Sequence, residues 1–127
     1  MRIRIPIDVE DEIRTVLSDY VTAYCRPLPK DFTLPCILVT KVGGTDAGTI
    51  EKMIVTLDSR AKTEAEAGLT LRKAVGVLKS LAALHETKVK HITVNSSGSW
   101  GVDPMRPDIC MCTATLEVAT HQTTMEV

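Results

Sequence analysis

At Thr63 the spacing of the apolar residues changes, and that change constrains the fold more than any other feature of the chain. Upstream, "TIEKMIVTLDSRA" (49–61) alternates Met53, Val55 and Leu57 with Lys52, Thr56, Asp58 and Arg60, Ile54 being the exception. A period of two is a strand with one wet face. Downstream, Ala67, Leu71, Ala74, Val75, Leu78, Leu81 and Ala82 recur at helical spacing, and the alanine-rich run 65–83 favours close packing on a sheet. Thr63 and Glu66 stand at the capping-box spacing, where each side chain satisfies the other's free backbone amide, so the helix is expected to begin there. Gly68 and Gly76 weaken that helix but let a neighbouring backbone approach it.

A second helix is expected near the N-terminus. Val9, Ile13, Val16, Leu17, Tyr20, Val21 and Tyr24 follow one helical face. Asp8 is placed to cap it, Glu10, Asp11 and Glu12 complement the positive end of its dipole, and Pro27 and Pro29 end it. "PCILVTKVGG" (35–44), "KVKHITVNSSG" (88–98) and "ICMCTATLEVAT" (109–120) are short, β-branched segments and are expected to be strands. The order α-β-β-α-β-β predicts one α+β domain over residues 1–127: a four-stranded, mostly antiparallel sheet with two helices packed on one face. Two long loops are expected, 43–49 and 95–108, the second holding the only tryptophan, Trp100, and the tail "HQTTMEV" is expected to be loose.

Composition excludes several functions. Fifteen basic against sixteen acidic residues, spread along 127, give no basic face for nucleic acid, and four aromatic residues give few platforms for stacking bases. No run approaches the roughly 18 apolar residues of a membrane span, and Met1–Ile7 lacks the apolar core of a secretory leader, so a cytosolic, reducing setting is expected for Cys25, Cys36, Cys110 and Cys112. Cys110-x-Cys112 has the wrong spacing for a structural zinc pair. The strand period puts both in line with Ala114, Leu116 and Val118, which makes them apolar core filler. His85, His91 and His121 share no spacing, and His85 suits the negative end of a helix dipole. "VGGTDAGT" leads into a strand and not a helix, so it is a turn and not a phosphate cradle. Trp100, in a Gly/Ser/Pro setting, is either an interface anchor or packed beneath its own loop.

Taken in order, the N-terminal amphipathic helix, "LPCILVTKVGG", "IVTLDSRAKTEAEA" and "DPMRPDICMCTATLEVAT" resemble the small tail terminator (tail completion) proteins of long-tailed bacteriophages and prophages, over roughly residues 8–120. The resemblance implies a non-enzymatic virion protein, assembled in the host bacterial cytoplasm and carried in the tail. In that family a homohexameric ring at the head-proximal end of the tail stops tube polymerisation and presents a surface for head attachment. Its partners would be copies of itself, the tail tube protein and the head-tail connector, with no cofactor, metal, nucleic acid or membrane. Carried onto this sequence, the resemblance marks Asp46, Arg60, Trp100, Asp103 and Arg106 as residues that touch neighbouring subunits. Other head-tail joining and minor tail proteins share the pattern. Two readings of another class are a small cytosolic metal-binding or thiol enzyme of ferredoxin-like build, using Cys110, Cys112 and a histidine, and a dimeric regulatory module.

Overall fold

A computed structural model of the chain describes residues 1–47 and 50–127, and the side chains of all of these except 46, 47, 96 and 97. The elements run β1 (Arg2–Ile5), α1 (Val9–Leu17), β2 (Ala23–Cys25), β3 (Cys36–Ala47), β4 (Ile50–Ala61), α2 (Glu64–Ala83), β5 (Val89–Asp103), β6 (Arg106–His121) and β7 (Thr123–Glu126). The fold is α+β with two helices and a mostly antiparallel sheet. The expected series survives as α1-β3-β4-α2-β5-β6, but the sheet has five strands and not four, in the order β2-β3-β4-β6-β5, and β1 and β7 form a separate two-stranded sheet.

Local chemistry placed both helix starts. The Asp8 carboxylate accepts from the Asp11 backbone N–H, and the Thr63 hydroxyl accepts from the Glu66 backbone N–H, each meeting an amide that has no partner inside its helix. The end of α1 differs from expectation. The helix stops at Leu17 and not beyond Tyr24, because Ala23–Cys25 leave it to run parallel to Ile37–Val39 as β2. The acidic first turn does more than complement the dipole. Glu10 accepts from Arg26 and from the Lys41 backbone N–H, both at 2.8 Å. Glu12 accepts from the Thr87 hydroxyl and the Lys88 N–H. These two carboxylates tie α1 to β3 and to the connection between α2 and β5.

One hydrophobic cluster joins the layers: Val9, Ile13 and Leu17 of α1, Ala67, Leu71, Ala74 and Leu78 of α2, and the inward residues of the central strands. Met53, Val55 and Leu57 of β4 point into it, as do Cys112, Ala114, Leu116 and Val118 of β6, and Ile54 faces the other side. The buried Ser59 hydroxyl donates to the Ala67 carbonyl and holds the start of α2 to β4.

The two expected loops are mostly strand. β3 continues to Ala47 and pairs with β4 as far as Ile50, Gly48 and Thr49 lying outside the described residues. β5 continues to Asp103 and pairs with β6 down to Arg106, leaving only Pro104 and Met105 to turn the chain. Gly- and Ser-rich chain has little strand preference of its own, and here pairing with a strong neighbour supplies the order. The tail is also ordered, with Thr123–Glu126 pairing antiparallel with Arg2–Ile5. Among the described residues, no helix is long and apolar enough to cross a membrane.

The end of α2 gives a testable detail. The His85 N–H bonds the Ala82 carbonyl, the Glu86 N–H bonds the Leu81 carbonyl, and His85 has φ 57°. This is a Schellman cap with histidine in the left-handed position that glycine favours. His85→Gly is expected to stabilise the protein by about 0.5–1 kcal/mol. An unchanged or lower urea midpoint would show that the imidazole at this helix end outweighs the backbone strain.

Candidate assembly surface

Four of the five residues singled out from the sequence gather at one end of the sheet. Arg60 lies opposite Met111, Trp100 opposite Cys112, and Asp103 opposite Arg106, all where β6 begins. Asp46 lies elsewhere. Its backbone pairs with Glu51, nine residues along β4 from Arg60 and so about 30 Å away, and its side chain is outside the described residues.

Arg60 and Asp103 meet each other. Arg60 Nε donates to Asp103 Oδ2 at 3.1 Å, with both residues under 10% exposed. Asp103 Oδ1 accepts from the Met105 N–H at 2.9 Å, so one carboxylate closes the β5–β6 turn and fastens it to the end of β4. Burial works against the charge on Asp103. Hydrogen bonds from Met105, Arg60 and Arg106, with the attraction of Arg60, outweigh it and hold the carboxyl below its ordinary value. Arg60 Nη1 is buried without a hydrogen-bond partner among the described residues. The pair therefore holds the turn within the chain. Met105 is 88% exposed there, and the Arg106 guanidinium lies 5.8 Å from the centre of the Phe32 ring and 3.6 Å from Asp108.

Trp100 occupies the opposite face of the hairpin, toward α2. Its indole lies over Gly68, where an added Cβ would come within 3.1 Å of the ring. The expected approach of a backbone at Gly68 is thus an approach of this ring, while Gly76 has open space beside it. Trp100 is still 52% exposed, because it forms one wall of a groove of about 810 Å³ between α2 and β5. Leu71, Val75, Val94 and Ala114 line the groove, with Arg72 and Lys79 on its α2 side. The groove has a structural cause. β5 is an edge strand whose register shifts between Val94 and Ser96 and again between Ser97 and Ser99, with Gly98 at φ 88°. Such bulges bend an edge strand away from its neighbours.

Sequence reasoning found Trp100 but missed the groove, since Leu71 and Val75 count equally well as core in a helical pattern. Met105 carried no signal beyond its place between two prolines.

The expectation that Cys110 and Cys112 are both core filler holds for Cys112 alone: at the start of β6 it is Ile109 that is buried, and Cys110 lies outside the main cluster. Cys112 is buried in the main cluster, and Cys110 is half-buried with its Sγ 3.9 Å from the Lys62 carbonyl. Burial raises the thiols of Cys25 and Cys112, and pushes that of Cys36 up to about 11, despite the Arg60 charge nearby. These three thiols stay protonated at neutral pH, which is the unreactive form. Among the described residues, no three His, Cys, Asp or Glu side chains converge to hold a metal ion.

This arrangement offers a half-covered aromatic ring, an apolar groove at a sheet edge and a latched turn with an exposed methionine. In sequence, no protein-family model matches the chain and no curated protein matches it.

Proposed function

We propose that this chain is a structural assembly subunit of the tail-terminator kind. Copies of it close into a ring, as a hexamer, that caps a phage tail tube, stops its growth and presents a surface to the head connector. The carrying observation is Trp100, half-exposed over an apolar groove at an edge strand. A large, stiff aromatic in such a place loses little entropy on binding and excludes water well, which is how interface anchors work. A ring subunit needs two different surfaces that match each other, and Arg106 and Asp46 lie at opposite ends of the sheet. The latch of Arg60 and Asp103 has a supporting part, holding the turn that carries Met105 and Arg106 in one shape.

Native mass spectrometry with negative-stain imaging tests this reading. Six-subunit particles of uniform diameter are expected, and they should add to the ends of tail tubes and halt elongation. A two-subunit particle that leaves tube growth untouched would assign the chain to a dimeric module instead.

A further inference from the structure

A buried carboxylate without a counter-charge lies where β6 passes into β7. Glu51 of β4 is 6% exposed, on the inward side of the strand with Met53 and Val55. Among the described residues its carboxylate accepts from the neutral Gln122 amide, Nε2 to Oε1 at 2.9 Å, and takes part in no ion pair. Glutamate is seldom buried so deeply unless a positive charge meets it. Asp103, the other deeply buried acid, has both Arg60 and a backbone amide.

A second buried group beside Glu51 also wants a partner. Thr120 of β6 stands directly opposite Glu51 in the ladder, and residues so paired share one side of the sheet with their Cβ atoms about 5 Å apart. Thr120 is 1% exposed, and its Oγ1 is buried with no hydrogen-bond partner among the described residues. On the other flank of β4 the residue in register with Glu51 is Asp46, so the register sets acidic residues side by side on neighbouring strands. An uncompensated negative charge and an orphaned hydroxyl oxygen, held on one side of adjacent strands, have a common remedy in a bound cation.

We infer that Glu51 and Thr120 are ligands of a divalent cation of the calcium class. Both offer oxygen, with neither sulfur nor imidazole beside them, and oxygen donors select hard cations over zinc or copper. Calcium accepts six to eight oxygens in irregular arrangements and mixes carboxylate, neutral oxygen and water, whereas magnesium demands a near-ideal octahedron. Gln122 is a positioning residue: its amide holds one carboxylate oxygen and steadies the ligand, as partners outside a metal's own shell do. It is also the single residue between β6 and β7. The cation therefore fastens the root of the β1–β7 ribbon to β4. With so few charged ligands the affinity should be modest, a Kd on the order of 0.1–1 mM.

Thermal unfolding of the full chain and two variants, with calorimetric titration of calcium chloride, tests the site. About 10 mM calcium chloride should raise the melting temperature of the parent by roughly 4–8 °C over the same buffer with EDTA, and magnesium chloride should do less. Glu51→Gln keeps the shape and removes the charge. It should melt no lower than the parent in EDTA and lose the calcium response altogether. Thr120→Val removes only the orphaned hydroxyl, so it should match the parent in EDTA while binding calcium roughly ten-fold more weakly. A parent that ignores calcium, a response that survives Glu51→Gln, or an equal rise from sodium chloride at matched ionic strength would overturn the site. Calcium held as tightly by Thr120→Val as by the parent would overturn the part given to the hydroxyl.

Discussion

Replacing Asp103 with alanine is expected to cost about 3 kcal/mol of stability, lowering the melting temperature by roughly 10 °C. The cost comes from what is left behind. Arg60 is under 10% exposed, and its Nη1 already lacks a partner among the described residues, so removing Asp103 strands a buried cation whose Nε is then unpaired as well. The Met105 N–H also loses its acceptor, and the β5–β6 turn loosens. The double variant Arg60→Met, Asp103→Leu should recover most of the loss, because exchanging a buried pair for apolar groups of similar size removes the penalty together with the attraction.

The pH dependence carries a definite sign. The Asp103 carboxyl is held below its ordinary value in the fold, so its contribution is complete above the ordinary carboxylate pKa of about 3.9 and fades as pH falls through the lower folded value. Urea midpoints of the parent and of Asp103→Asn should therefore differ at pH 7 and converge in strong acid. A gap that stays constant from neutral to acid would place the effect in packing and not in charge.

Legibility in the sequence followed the range of the interaction responsible. Asp8 and Thr63 act on amides three residues away, so both helix starts could be read directly. The parity of Cys112, Ala114, Leu116 and Val118 needs only the strand period, and the burial follows it. The end of α1 could not be read, because Tyr20 and Val21 keep the helical spacing while Ala23–Cys25 answer to a parallel partner across the sheet. The tips of β5 and β6 are ordered by each other across Gly and Ser residues with no pattern of their own. "MRIRI" does alternate in the manner of a strand, yet its partner is the far end of the chain, Thr123–Glu126. The candidate site divides in the same way. Trp100 is conspicuous by residue type alone, but Gly68 as its seat and Asp103 as the partner of Arg60, 43 residues away, exist only in the fold.

Trp100→Ala should separate assembly from folding. The ring is half-exposed and rests on Gly68, a residue without a side chain, so truncation forfeits only part of the 3–5 kcal/mol of a fully buried aromatic, about 1–2 kcal/mol here. The monomer should lose roughly 4–8 °C in melting temperature. In the proposed assembly, association would remove the rest of the indole from water, and truncating an aromatic anchor at the centre of an interface costs 2 kcal/mol or more, so association should weaken by at least about thirty-fold. Trp100→Phe should fall between, keeping a flat ring over Gly68 while shortening the wall of the groove. Concentration-dependent sedimentation beside thermal unfolding gives both numbers on one sample. If the melting temperature collapses while association constants stay put, Trp100 belongs to the fold, and the surface between α2 and β5 is not where copies of this chain meet.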